Sequence, residues 1–350
     1  GLQTLLIAES GLGGLQLIGD FVFNIDPTPL SGLGLDQPGL SILTELGIAI
    51  PETHSTSINP AFQVILPDHR IDFCNDLGAL KSELAREFPH WETDISAFYN
   101  VATDASSIFQ EWITEHPQIQ PQSLKEYFSY LKIFPYIFRY KFEAAKFDKI
   151  LSQDESLEKV WEAQQALLSL NNDDLFSFAS AFQYRAPLRG VSYFPQGKQF
   201  LFNALVEKLE SNKGLFLSNH QISDLTRNKT IDLEIKAPDN TTSKVSGLNL
   251  IVSTKSDKLS LLRGSHKHIN FSDWLRPAKI AYYPFTIFLG IAEKCLPEQM
   301  SRHIAVVTDV TKDIYDNNLI ILETSLPDKD KSLAHAKASL TATVYLPDIE

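Results

Sequence analysis

Hydrophobic and polar positions change their period several times along the chain, and each change marks a different kind of element. Thr4-Leu5-Leu6-Ile7-Ala8 is an unbroken apolar run ending in an acid, Glu9. Such a run suits a parallel strand covered on both faces. Gly11, Gly13 and Gly14 follow at once, and Leu15 to Asp26 reads as a further, mostly apolar strand. A loop holding Pro27, Pro29, Gly32, Gly34, Pro38 and Gly39 leads to a helical pattern around Ser41 to Leu46. Residues 62–66 and 70–73 then form two short strands facing each other across Pro67-Asp68-His69, a hairpin signal.

Residues 76–180 read as largely helical. Asp76 can cap a helix carrying Leu77, Leu80 and Leu84, and later helical segments centre on 95–115, 124–151 and 157–170. From Phe200 the texture shifts. An amphipathic helix over 200–209 is stopped by Asn212-Lys213-Gly214, and Leu215-Phe216-Leu217 is a short strand. Ile231, Leu233 and Ile235 alternate with Asp232, Glu234 and Lys236, predicting a half-exposed strand. After a turn at 239–242, residues 248–252 predict a buried strand, and the tail adds strands at 286–291, 304–308, 319–323 and 340–345. This order predicts an α/β fold: a nucleotide-binding domain split by an inserted, mainly helical domain.

Composition narrows the classes. With 350 residues, 43% hydrophobic and 21% charged, the chain is globular and long enough for two domains. Its net charge of −12 argues against a nucleic-acid partner. Cys74 and Cys295 are too few for a disulfide scaffold, which points to a reducing, cytoplasmic setting. No apolar run nears the ~20 residues of a membrane-spanning helix, and the first residues do not read as a secretory leader. The only methionine is Met300 and the chain opens Gly1-Leu2-Gln3, so residue 1 is not a translation start. An engineered or processed product would explain this, but the motifs favour a fragment.

Glu9 is the most informative candidate. In a dinucleotide-binding βαβ unit, a carboxylate ending the second strand accepts hydrogen bonds from ribose hydroxyls, about 20 residues after the glycine fingerprint. Counting back from Glu9 puts that fingerprint ahead of residue 1. The plain alternative is that Glu9 only solvates a strand end. The aromatic stretch 124–147 also has two readings. Tyr127, Phe128, Tyr130, Phe134, Tyr136, Phe138, Tyr140, Phe142 and Phe147 interleave with Lys132, Arg139, Lys141 and Lys146. It is either a core helix with snorkelling lysines, or an apolar entrance or bilayer-surface helix; Pro135 should kink or divide it. His266 and His268 are read as surface histidines, with no metal expected. Ser192, Ser253 and Cys295 lack a nucleophile setting, and Cys74 and Cys295 are read as buried thiols.

The stretch Gly1 to Leu15, with Phe21-Val22-Phe23-Asn24-Ile25-Asp26-Pro27, resembles the start of FAD-dependent oxidoreductases of the phytoene desaturase and amine oxidase superfamily, minus their first strand and helix. Tyr193-Phe194-Pro195-Gln196-Gly197-Lys198 is similar to that family's Tyr-Pro-Gly-Gly segment, and residues 214–225 match its following strand and connection. Tyr283-Pro284-Phe285-Thr286, Cys295-Leu296-Pro297 and Asn318-Leu319-Ile320 look like its substrate-domain sheet. The departures are a Gly-Gly pair unusually close to Glu9, Leu15 in place of an arginine, Asp26 and Lys198 each in place of a glycine, and a chain that stops before the Gly-Asp closing segment.

The resemblance implies a split FAD/NAD(P)-binding Rossmann-like domain with an inserted α+β substrate domain. Residues 1–60 would be part of the FAD domain and 61–194 the helical substrate domain. Residues 195–265 would be the FAD domain's return with a β-meander, and 266–350 the substrate-domain sheet. It implies FAD as cofactor, with Glu9 on ribose, Gly13 and Gly14 allowing close backbone approach, and Ile222 meeting adenine through its main chain. Asp26 and Pro27 would lie near the flavin; no catalytic residue is nominated. The implied activity is desaturation, dehydrogenation or isomerisation of a long, carotenoid-like isoprenoid or related apolar lipid; the bilayer-surface reading of 124–147 would add peripheral membrane contact. Two rivals stand beside it: a non-catalytic relative that binds lipid or protein, and an amine oxidase-like enzyme.

Overall fold

The computed structural model describes residues 2–9, 15–25, 29–34, 37–50, 56–115, 124–169, 175–177, 180–194, 198–227, 229–253, 282–325 and 337–347. In chain order the first elements are β1 (Leu5–Ala8), β2 (Leu15–Ile18), β3 (Phe21–Asn24), α1 (Pro38–Glu45), β4 (Thr56–Ile58), β5 (Phe62–Ile65) and β6 (Arg70–Phe73). The helical block is α2 (Leu77–Glu87), α3 (Glu92–Glu115), α4 (Leu124–Leu151), α5 (Glu155–Ser169) and α6 (Ser180–Arg185). Then come β7 (Val191–Tyr193), α7 (Gln199–Ser211), β8 (Leu215–Ser218), β9 (Gln221–Arg227), β10 (Ile231–Lys236) and β11 (Thr242–Gly247). The tail carries β12 (Tyr282–Ala292), β13 (His303–Val307), β14 (Leu319–Ser325) and β15 (Lys337–Pro347). The fold is mixed α/β. It divides into two compact units, one of Gly1–Gly14 with Lys198–Ala281 and one of Leu15–Gly197 with Tyr282–Glu350.

In the first unit β1 runs parallel to β8, Leu5 opposite Leu215 and Ala8 opposite Ser218. Helix α7 delivers the chain to β8 through a left-handed Lys213 (φ 65°) and Gly214, whose amide donates to Leu209 O at 2.9 Å. A Cβ on Gly214 would collide with the Leu209 side chain, so glycine fits that stop. Strand β10 is flanked by β9 and β11 in an antiparallel meander. Its tight β10–β11 turn is held by Asp239, whose Oδ1 accepts from Thr241 N at 2.9 Å and Thr241 Oγ1 at 2.6 Å. Those bonds draw the Asp239 carboxyl below its ordinary pKa.

Two expectations fail in this unit. Strand β1 is not covered on both faces: Leu6 is exposed, and among the described residues β8 is its single neighbour. Residues 248–252 are not a buried strand either, since Leu248 and Ile251 are 79% and 96% exposed. Both flanks of β10 are already taken by β9 and β11, so this apolar run finds no place beside it.

The second unit is built on a six-strand sheet in the order β12-β15-β14-β13-β5-β6. Neighbours are antiparallel except β13 and β5, which run parallel. Phe62, Val64, Ile71 and Phe73 are fully buried on the helix-covered side, where α2 packs on β6 and α5 packs on β5 and β13. Asp76 caps α2 by accepting from Ala79 N at 2.8 Å. The helices close around Phe98 of α3, which stacks on Phe147 of α4 at 4.7 Å and meets Tyr184 of α6 at 5.2 Å and Trp161 of α5 at 6.2 Å.

Residues 15–26 are not one strand. Gly19 (φ 60°) and Asp20 turn the chain back, and β2 pairs antiparallel with β3. The hairpin lies on the β12–β15 half of the sheet. Phe23 packs on Phe288 at 5.1 Å, and the Phe21 ring fills the space where a Cβ of residue 290 would stand, which explains Gly290. Helix α4 continues through Pro135 instead of dividing there. Cys295 is exposed, contrary to its reading as a buried thiol; Cys74 is half-buried. Burial, followed by the charges of Asp72, Glu83 and Asp76, raises the Cys74 thiol pKa.

Candidate functional site

Two polar constellations emerge, one in each unit. The first gathers at the carboxyl ends of the parallel pair β1–β8, the end at which open α/β sheets bind ligands. Ala8 O accepts from His220 N at 3.1 Å, closing the strand ends together. Asn219, at φ 56°, supplies the sharp turn from β8 into β9. His220 Nδ1 lies 2.7 Å from Ser218 O. A carbonyl oxygen only accepts, so Nδ1 carries the proton and donates this bond. Glu9, one residue beyond β1, is exposed beside these groups. A carboxylate so placed can accept from two vicinal hydroxyls, the chemistry a ribose requires.

Ile222 is half-buried on β9, opposite Ile235. The β9–β10 register shifts there, because Asp224 faces Glu234 while Ile222 faces Ile235, leaving Ser223 as the extra residue of a bulge. Ser223 Oγ bonds Glu234 O at 3.2 Å. Gly13, Gly14, Asp26 and Pro27 lie outside the described residues, as do His266 and His268. Glu9 and Ile222 thus fall in the same unit and close to the β8–β9 turn.

The second constellation was missed in the sequence because its members come from four separate strands. His303 of β13 stands opposite Glu323 of β14, and Glu323 opposite Thr341 of β15. Directly paired side chains share a face with Cβ atoms about 5 Å apart. Glu323 and His303 are 5% and 2% exposed. Asn24, the last residue of β3, donates from Nδ2 to Glu323 Oε1 at 2.6 Å. Ser339 Oγ donates to Val22 O at 2.7 Å and Thr341 Oγ1 to Asn24 O at 3.4 Å, so the hairpin is sewn to the sheet along its length. The next row is tied by Thr286 and Thr343, whose hydroxyls are 2.9 Å apart. A usable signal existed: Ser339, Thr341 and Thr343 alternate with apolar residues in a strand, which puts a polar row on one face.

This row fixes where the chain leaves β3 toward Asp26 and Pro27. Replacing Asn24 by leucine leaves a buried carboxylate short of its amide donor. The expected cost is about 2 kcal/mol. Thermal melts of the variant check it, and an unchanged midpoint would show that the amide bond does not hold the hairpin.

No protein-family model matches the chain, and no curated protein matches it in sequence. Among solved structures, p-nitrophenol 4-monooxygenase from Pseudomonas putida aligns over 47% of this chain and 35% of its own length, with 11% identity and a TM-score of 0.25. A superposition that partial decides neither fold nor activity. Among the described residues no helix is long and apolar enough to cross a membrane, and no three His, Cys, Asp or Glu side chains gather as a metal site.

Proposed function

We propose that the chain belongs to a flavin-dependent oxidoreductase. In this reading the unit of Gly1–Gly14 and Lys198–Ala281 forms part of the cofactor cradle, and the mixed-sheet unit forms the substrate-holding half. The observation that carries the reading is the parallel pairing of β1 with β8. Leu5 meets Leu215 across a long excursion of the chain, and a three-strand meander follows directly. A split nucleotide-binding domain requires that return.

Glu9 would hold the adenosine ribose, and the bulged backbone at Ile222 and Ser223 would lie against adenine. FAD, when bound, supplies hydride acceptance at its flavin ring. The chain's own residues would then position the cofactor, and the Asn24–Glu323 bond would set the start of the loop carrying Asp26 and Pro27. The substrate class proposed with this reading is a long isoprenoid or related apolar lipid, undergoing desaturation, dehydrogenation or isomerisation.

FAD titration followed by flavin fluorescence tests the assignment. Full-length protein, including the segment ahead of residue 1, should bind FAD, turn yellow and be bleached by dithionite, and Glu9→Leu should bind roughly tenfold or more weakly, the loss of a charge-assisted hydrogen-bond pair. Full-length protein that takes up no FAD would overturn the reading. That result would favour a non-catalytic lipid- or protein-binding chain, a rival that Lys198 supports: it stands at the N-cap of α7, where the resemblance calls for glycine.

A further inference from the structure

We propose that the outward face of α4 docks on an anionic bilayer surface, lying in the plane of the interface. The helix has two unlike sides. Ile133, Tyr140, Ala144, Phe147 and Leu151 are buried against the helical core. On the other side Phe128, Leu131, Phe134, Phe138 and Phe142 are all exposed, with Phe138 at 68%. At 100° per residue these five occupy an arc of about 120° and extend about 21 Å along the axis. Exposing so many large apolar groups to water is unfavourable, and an exposed patch of this kind marks an interaction surface.

The charges around the stripe select the occupant. From Phe128 to Phe142 there is no acidic residue, while Lys132, Arg139 and Lys141 fall there, in a chain whose net charge is −12. Lys132, Arg139 and Lys146 are spaced by seven and line one margin; Lys141 lines the other. Some of this charge is shared locally: Arg139 is 3.4 Å from Asp104, and Lys146 is 2.8 Å from Glu143 and sits over the Phe142 ring. Asp104 and Glu143 offset two of the four cations, and Lys132 and Lys141 leave the face with a positive sign. A second copy of the chain meeting this face about a two-fold axis would set cationic margin against cationic margin. Anionic headgroups complement the margins, and the acyl boundary accepts the rings. The inference does not rest on the cofactor assignment.

Co-sedimentation with vesicles tests it, using phosphatidylcholine alone and phosphatidylcholine mixed with phosphatidylserine. Wild-type protein should pellet with the mixed vesicles and be largely released by high salt. Phe138→Ser combined with Phe142→Ser should lower partitioning roughly tenfold or more, and Lys132→Gln combined with Lys141→Gln should remove the preference for phosphatidylserine. All four positions are exposed, and circular dichroism verifies that each variant keeps its helix content. Wild-type protein left in the supernatant with both vesicle types would overturn the proposal, as would variants that bind like wild type. A dimer in gel filtration that dissolves on Phe138→Ser, without vesicle binding, would overturn it in favour of a second copy.

Discussion

Phe98→Ala should be the most damaging single truncation in the helical block, costing about 4 kcal/mol and lowering the melting midpoint by roughly 10 °C. The ring is 1% exposed and is shared by four helices. It stacks on Phe147 at an interplanar angle of 12°, and meets Tyr99, Trp161, Phe176 and Tyr184 edge-on or nearly so. Removing it leaves a cavity walled by rings whose own positions depend on one another, so collapse is restricted. Phe98→Leu, which refills most of the space, should cost about half as much. Differential scanning calorimetry reads both. A loss below about 1 kcal/mol for the alanine variant would mean that the aromatic cluster repacks.

Asn318→Ala should cost about 3 kcal/mol through an unrelated cause. Asn318 is 1% exposed and knits the loop between β13 and β14. Its Oδ1 accepts from Thr308 N at 3.1 Å, Thr308 Oγ1 at 2.9 Å and Asp309 N at 2.8 Å. Its Nδ2 donates to Asp309 O at 2.7 Å and Lys312 O at 3.2 Å. Alanine removes every one of these bonds; Thr308 N keeps the Asn318 main-chain oxygen at 3.1 Å and Asp309 O keeps Lys312 N at 3.4 Å, so the loss falls mainly on Asp309 N and Lys312 O. Asn318→Asp is the informative companion, because it keeps the acceptor but sets a second carboxyl oxygen against the Asp309 and Lys312 carbonyls, and it should cost at least as much as alanine. Urea unfolding resolves the series; equal midpoints for all three proteins would remove the side chain from any role in the loop.

The sequence was most readable where burial is one-sided and long. Helices α3, α4 and α5 follow from apolar residues at helical spacing, and the tail strands from runs of β-branched residues bounded by turn residues. Reading failed where neighbours decide. Strand β9, Gln-Ile-Ser-Asp-Leu-Thr-Arg, alternates too shallowly to read as a strand by itself; it forms since β10 offers an edge. Residues 248–252 have strand composition and no strand to join. The break at Gly19 was hidden by apolar residues on both sides of it. For the candidate sites, Glu9 was found from an apolar strand ending in an acid, and Ile222 by the resemblance of its segment. Asn24, His303 and Glu323 were not, because only the register of β13 on β14 and the fold-over of the hairpin bring them together.

The pairing of Leu5 with Leu215 also has a temporal side. During synthesis β1 leaves the ribosome long before its partner exists, and it must wait while the intervening domain forms. Joining strands so distant in the chain is slow, since a large loop must close before any ladder bond is gained. Meanwhile an apolar segment with open hydrogen-bonding groups stays available to other nascent chains. Recovery of native protein should therefore fall as refolding concentration rises, with the β1 segment as the point of misassembly.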